Sequence, residues 1–300
     1  MTSATEPVTI VMPLYNGERY VRDAIDSVIA QTTGEWRLLV VDDASTDDSV
    51  GIVHTYGDPR ITVVRNDRNL GLYGTLAATL PRVNTDWIAI LMQDDRLRPE
   101  YLAQMAGLRE AYPDVDGFWC QEHLIDQYGR EIAVRTETSR VERIEPGVPA
   151  WRNVLRQGCI WTISGSLTHR RLFAEVPFRS DLPHSSDFDW FLRAVRTHPF
   201  VYCERALIEV RHHAGQASSR NMRTGRDLAE LLRVVACNVE AHATDVPRAL
   251  VWRIGLYRAG QAARRTAANL IKGRLAPARS LAAIAGQFLG LPAGFTLRRL

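Results

Sequence analysis

The stretch "WIAILMQDDRLRPEYL" runs from Trp87 to Leu102. It opens as an apolar, partly β-branched run, Trp87 to Met92, and stops at Gln93-Asp94-Asp95. An apolar run of that length, ended by polar residues, is the pattern of a buried strand. Burying two adjacent carboxylates costs several kcal/mol each unless something pairs with them. The strand therefore needs an edge at which the two acids find partners, and the neighbouring sequence tells what kind of edge that is.

"VTIVMPLYN", Val8 to Asn16, is a second apolar run that breaks into a loop. In "GERYVRDAIDSVIAQT", Val21, Ile25, Val28 and Ile29 recur at helical spacing on one face. "WRLLVVDDAS" is another strand ending in acids, Asp42 and Asp43. "STDDSVGIVHTYG" has the signature of a capped helix start at Ser45 or Thr46, with Gly57 near its end. "ITVVRN" predicts a third strand in chain order, "GLYGTLAATLPRV" a short helix, and Pro99 to Tyr112 a further helix. Strands alternating with helices predict an α/β fold, a mostly parallel sheet covered by helices on both faces. In such sheets ligands bind beyond the carboxyl ends of the strands. Asp42-Asp43 and Asp94-Asp95 then project from the same edge, where a polar ligand and a cation would satisfy them.

From about Asp116 the alternation loosens. "DGFWCQ" and "CIWTISGSLTHRRLF" predict strands, "SSDFDWFLRAVRTHP" a helix, and "FVYCERALIEVRHHAG" a strand running into a His-rich turn. Asp187 and Asp189 lie in that helix's first turn, where the helix dipole favours acids. From about Gly225 the chain is rich in Ala, Leu and Arg and predicts helices. The division expected is a domain over 1–224 and a basic helical extension over 225–300.

Composition narrows the function classes. The 300 residues are 46% hydrophobic and 24% charged, which is globular and leaves little room for a disordered chain. The four cysteines are far apart with no C-x-x-C pair, so neither a zinc site nor a disulfide framework is indicated. That usage, with no signal-peptide pattern at the N-terminus and no transmembrane-length apolar run, leads to the expectation of a cytoplasmic protein. There is no G-x-G-x-x-G and no G-K-[ST], which disfavours Gly-rich dinucleotide and P-loop phosphate binding.

"VMPLYNGERYVRDAIDSVIAQT", "LLVVDDASTDDS", "NLGLYGTLAATL" followed by "WIAILMQDDRLRPEYL", and "SDFDWFLR" occur in this order over roughly residues 7–220. Together they resemble the family 2 glycosyltransferases of the GT-A fold. The resemblance implies a nucleotide-sugar half over about 7–115 and an acceptor half over 116–224. It implies a sugar nucleotide as donor, a saccharide or lipid-linked acceptor, and Mn²⁺ or Mg²⁺ clamping the diphosphate, which suits hard oxygen ligands. Asp94 and Asp95 match the family's metal and ribose carboxylates. Asp43, or its neighbour Asp42, matches the residue that accepts a hydrogen bond from the base. Pro13, Leu14 and Tyr15 match the wall of the base pocket, although a core role suits Tyr15 nearly as well. Asp187 matches the general base of an inverting displacement, with Asp189 as the competing carboxylate and Arg193 as an ion-pair partner. His213 is a candidate for the metal or phosphate, against an ordinary solvated loop histidine, and His212 a weaker one; His184, just before Asp187, is a candidate for the acceptor site, against the same solvated-loop reading.

The sequence departs from the family pattern at Met92 and Ser186, where acids are usual, and at Leu76-Ala77, where an Arg-Asn pair is usual. A thioether does not replace a carboxylate toward Mg²⁺. These departures keep open a sugar-binding or scaffold protein on the same fold. A sugar-phosphate nucleotidyltransferase is the other alternative, without its Gly-rich basic N-terminal motif.

Charge is distributed unevenly. No acidic residue follows Asp245, while ten basic ones do; the first 245 residues hold 27 basic and 34 acidic side chains. An acidic body makes a nucleic-acid partner a poor expectation, and the basic tail has no interleaved aromatics. In "SLAAIAGQFLGLPAGFTL", Leu281, Ile284, Ala285, Phe288 and Leu289 form one apolar stripe, interrupted by Gly286, Gly290, Pro292 and Gly294. Two readings of that stripe stand: a helix packed on the body or across a homodimer, or an interfacial segment that docks with Arg298-Arg299 on an anionic membrane as a peripheral protein.

Overall fold

The computed structural model describes residues 7–133, 138–216, 221–222 and 224–290. Its strands are β1 (Val8–Leu14), β2 (Trp36–Asp42), β3 (Ile61–Arg65), β4 (Trp87–Ile90), β5 (Arg96–Leu97), β6 (Gly117–Ile125), β7 (Glu131–Ala133), β8 (Val141–Ile144), β9 (Ser166–His169) and β10 (Phe200–Arg211). Its helices are α1 (Val21–Ile29), α2 (Ser49–His54), α3 (Leu72–Thr79), α4 (Tyr101–Ala111), α5 (Val148–Gln157), α6 (Arg170–Glu175), α7 (Ser186–Ala194), α8 (Arg226–Ala241), α9 (Arg248–Ile271) and α10 (Leu275–Gly290).

One sheet runs β3-β2-β1-β4-β9-β6-β10-β5, with β7 beside β6 and β8 beside β10. The β3-β2-β1-β4 part is parallel. β9 then enters antiparallel between β4 and β6. The sheet is therefore mixed: parallel pairing holds where strands alternate with helices, and gives way where the sequence pattern loosens. Register sets the edge. Leu14 is opposite Asp42, and Val11 is opposite Ile90, so the loops after β1, β2 and β4 leave the sheet on the same side.

Burial on both faces explains the unbroken apolar run of β1. Ile10, Met12 and Leu14 join Val21, Ala24, Ile25 and Val28 of α1 in one core. Val11 points the other way, into a core with Tyr73 and Leu76 of α3 and Trp190 and Phe191 of α7. Three of the four residues in the expected α1 stripe are buried; Ile29, the last helical residue, is exposed. The helix expected to start at Ser45 or Thr46 starts instead at Ser49, after Asp48, which makes no side-chain cap. Ser45 and Asp47 serve the loop after β1 instead, as described below.

The C-terminal helices share the second of these cores: Leu232, Ile254, Leu281 and Phe288 belong to the same cluster as Trp151 and Phe191. Of the stripe in α10, Leu281, Ile284 and Phe288 are buried, and only Leu289 is largely exposed. The inward reading of that stripe is thus the one the fold adopts, and the interfacial reading fails for α10. Gly255 makes the crossing of α9 and α10 possible, because a Cβ there would lie 2.6 Å from the Phe288 carbonyl oxygen. Pro292, Gly294, Arg298 and Arg299 lie outside the described residues.

Candidate active site

The loops at the sheet's edge enclose a cavity of about 820 Å³, within the range of small-molecule sites. Pro13, Tyr15, Asp43, Met92, Asp94 and His213 all line it. The sequence-predicted site residues from four separate segments thus converge.

The loop after β1 is held from two sides. Gln93 grips Tyr15 through its carboxamide: the Tyr15 N–H donates to Oε1 (2.7 Å), and Nε2 donates to the Tyr15 carbonyl (3.1 Å). The Asn16 N–H donates to Ser45 Oγ (3.0 Å) and the Gly17 N–H to Ser49 Oγ (2.8 Å). Asn16 and Ala44 both have positive φ, 47° and 62°, the non-glycine left-handed residues among those described. Such conformations cost free energy and survive where surroundings enforce them. Here the enforcement is mutual, since the Thr46 N–H donates to Asn16 Oδ1 at 2.8 Å.

The two acids after β2 face different ways. Asp43 accepts from Asn66 Nδ2, the Leu70 N–H and the Gly71 N–H, all at 2.8 Å, and lines the cavity. Those donors fix the carboxylate as an acceptor at the cavity wall. Asp42 is buried, accepts from the Ser45 N–H (3.1 Å) and pairs with Arg65 (3.3 Å). It is not among the cavity-lining residues, so of the pair it is Asp43 that the fold presents.

The acids after β4 also divide. Asp94 reaches the cavity, with Oδ2 3.0 Å from His213 Nε2. Asp95 is buried behind it, accepting from the Arg211 N–H at 2.9 Å. Its burial, and then the adjacent Asp94 charge, push its carboxyl well above the usual range. Among the described residues no group of three or more His, Cys, Asp or Glu side chains is disposed to hold a metal ion. The pair that does meet, one carboxylate oxygen and one imidazole nitrogen, fits a divalent cation that takes its remaining positions from substrate phosphates and water. Asp95 is linked to Asp94 through Arg211, whose Nε donates to the Asp94 carbonyl at 2.8 Å.

Asp187 lies in the first turn of α7 but does not line the cavity. It lies one layer away, hydrogen-bonded to Tyr73 of α3, the helix whose Leu72 and Thr75 face the cavity. Enclosure pushes its carboxyl up to about 6, against the lowering effect of hydrogen bonds from the Phe188 N–H and the Tyr73 hydroxyl. Asp189 is already engaged: Arg193 lies 2.8 Å away and Arg179 3.7 Å. Ser186 is buried and accepts from the Arg179 N–H. His184 pairs with Asn221 (2.6 Å), away from the cavity lining, and His212 is exposed. Leu76 is a core residue of α3.

Sequence reading missed Gln93, Arg211, Tyr20 and Tyr73. Arg211 is 1% exposed, donates to Asp23 Oδ2 (2.8 Å) and stacks over the Tyr20 ring, which in turn contacts the His213 ring at 4.8 Å. An arginine closing the apolar run "ALIEV" was its only signal.

The glycosyl transferase family 2 model matches residues 9–167. An uncharacterized glycosyltransferase of Rickettsia prowazekii is 26% identical over 216 residues, which is 71% of this chain and 66% of that protein. The succinoglycan biosynthesis protein ExoO of Rhizobium meliloti is 37% identical over 150 residues, 48% of this chain and 41% of that one. The chain thus spans about two thirds or less of these relatives' length. Among solved structures, TarS residues 1–349 of S. aureus in complex with UDP-GlcNAc superposes with TM-score 0.59 at 15% identity, covering 94% of this chain and 92% of that one. The mannosyltransferase of Pyrobaculum calidifontis in complex with GDP-Man and Mn²⁺ gives 0.59 at 17% identity, covering 97% and 87%. At these identities the likeness concerns the fold, a GT-A-like mixed α/β sheet with a helical C-terminal region.

Proposed function

Because the chain belongs to glycosyl transferase family 2, we propose that it moves a sugar from a nucleoside-diphosphate sugar to a hydroxyl acceptor with inversion at the anomeric carbon, in assembly of a surface polysaccharide or related glycoconjugate. The observation that carries this reading is the meeting of Asp94 and His213 in one cavity with Asp43, where Gln93 holds the backbone of Tyr15, another lining residue. A nucleotide sugar needs those features: an acceptor oxygen for a base N–H, a planar wall for the base, and a cation-holding edge for the diphosphate. The likeness to ExoO supports the polysaccharide setting, and neighbours titled with UDP-GlcNAc and with GDP-Man and Mn²⁺ support a nucleotide-sugar donor and a divalent ion. The free thiols of all four cysteines suit a reducing compartment.

In this reading Asp43 accepts from the base, and the Pro13–Tyr15 loop walls it. Asp94 and His213, braced by Asp95 and Arg211, would hold Mn²⁺ or Mg²⁺, which when bound would neutralise charge on the leaving diphosphate. Asp187 accepts the proton of the attacking hydroxyl. A carboxylate held at about pH 6 is ionised at neutral pH yet basic enough to share that proton in the transition state. Tyr73 orients it. Met92 lines the cavity where the family often has an acid, and its apolar surface leaves the ribose edge to Asp94.

The test is release of nucleoside diphosphate from a panel of nucleotide sugars with Mn²⁺, in parallel with thermal shift. A donor stabilises the folded chain in proportion to its affinity. Binding without release, under saturating metal and with any acceptor mixture, would favour the sugar-binding scaffold over the transferase.

A further inference from the structure

Helix α9 carries an apolar face that nothing among the described residues covers. Trp252, Leu256, Tyr257, Leu270 and Ile271 are 49%, 56%, 55%, 52% and 86% exposed, and Leu275, just past its end, is 59% exposed. Trp252, Leu256, Gly260, Ala263, Ala267 and Leu270 follow one another at three- and four-residue steps, so they form one stripe along the helix. Arg253 and Arg264, both exposed, run along its edge, and the sequence after Asp245 contains no acid. A Trp and two leucines on one stripe free of polar residues, with Tyr257 and Ile271 exposed beside it, make more than a scatter of single apolar side chains.

We propose that this face of α9 docks on an anionic lipid bilayer, the helix lying in the headgroup region. Each component has a role there. Trp and Tyr favour the boundary between headgroup and acyl chain, Leu and Ile enter it, and Arg253 and Arg264 meet anionic headgroups. A second copy of the chain fits the same face poorly, because a two-fold contact would set these arginines against their own kind with no acid on α9 to pair them. The docking does not depend on the transferase reading.

Flotation of the full chain with phosphatidylcholine vesicles, with and without phosphatidylglycerol, tests the proposal. The full chain is expected to float with the anionic vesicles at low salt and to be released as salt rises. Trp252→Ser/Leu256→Ser and Arg253→Glu/Arg264→Glu are each expected to lower the bound fraction about tenfold or more. Nucleotide release from a soluble donor is expected to stay unchanged in both, since none of the four residues lines the cavity. Failure to float at low salt, or variants that float as the parent does, would overturn it. So would a dimer in light scattering that Leu256→Glu splits, because the face would then be a protein interface. Absence of nucleotide release with normal flotation would count against the transferase reading alone.

Discussion

His213 Nε2 lies 3.0 Å from Asp94 Oδ2, joining the end of β10 to the end of β4 across 119 residues of sequence. Neither group is free to wander: Arg211 fixes the Asp94 backbone, and the Tyr20 ring flanks the imidazole. The pair is therefore preorganised for a third body, and preorganised electrostatics is worth most where charge develops.

Asp94→Asn is expected to lower metal-dependent nucleotide release by at least ~100-fold. Asp95→Ala should do so as well by removing the acceptor of the Arg211 N–H, while His213→Ala should cost about 10- to 100-fold and raise the Mn²⁺ needed for half-maximal rate. A Mn²⁺ titration of the three variants checks this. An unchanged metal requirement in His213→Ala would remove it from the metal set.

Asp187→Asn is expected to keep donor binding and to lose transfer by roughly 10²–10⁴-fold. The pH dependence follows from the raised carboxyl. A base must be ionised, so transfer should climb as pH rises through about 6 and then level off. The folding consequence has the opposite sign. A carboxyl whose folded value lies above its unfolded one stabilises the native state when protonated, and that contribution fades as pH rises toward and through about 6. Asp187→Asn should therefore raise the melting temperature at pH 7.5 and leave it nearly unchanged near pH 3. Normal transfer by Asp187→Asn together with a dead Asp189→Asn would reverse the assignment.

Gly17 sits where a Cβ would come within 2.7 Å of the Gln93 carboxamide and 2.9 Å of Leu14 Cδ1. Gly17→Ala should push Gln93 off Tyr15 and misplace the base wall. The expected effect is a donor KM raised about tenfold with far-UV circular dichroism unchanged, since positioning errors of an ångström are felt in binding and rate. A normal KM would mean that the Gln93 clamp has no part in donor binding.

How far the sequence discloses this site depends on the kind of signal each residue leaves. The parallel strands, and the edge bearing Asp43 and Asp94, are legible because apolar runs buried on both faces end abruptly in acids. Which acid of each pair faces the cavity is not, because adjacent residues on a strand end point to opposite sides, and Asp42 and Asp95 look identical to their partners until register is known. Arg211 and Tyr73 act through contacts that span the chain, to Asp23 and Asp187 respectively, and leave no local pattern. The stripe in α10 and the one in α9 illustrate the limit of periodicity: both are apolar and helical, and packing of Phe288 against Gly255 decides that the first turns inward.

On the function proposed above, this cavity holds a nucleotide sugar across a cation and activates it for transfer. The most direct measurement is nucleoside-diphosphate release from UDP-, GDP- and dTDP-sugars with Mn²⁺, comparing the parent chain with Asp94→Asn and adding EDTA to each. Release from at least one donor by the parent, abolished by EDTA and by Asp94→Asn, is the predicted result. Release that persists in EDTA and in Asp94→Asn, or thermal stabilisation by none of the donors, would contradict it.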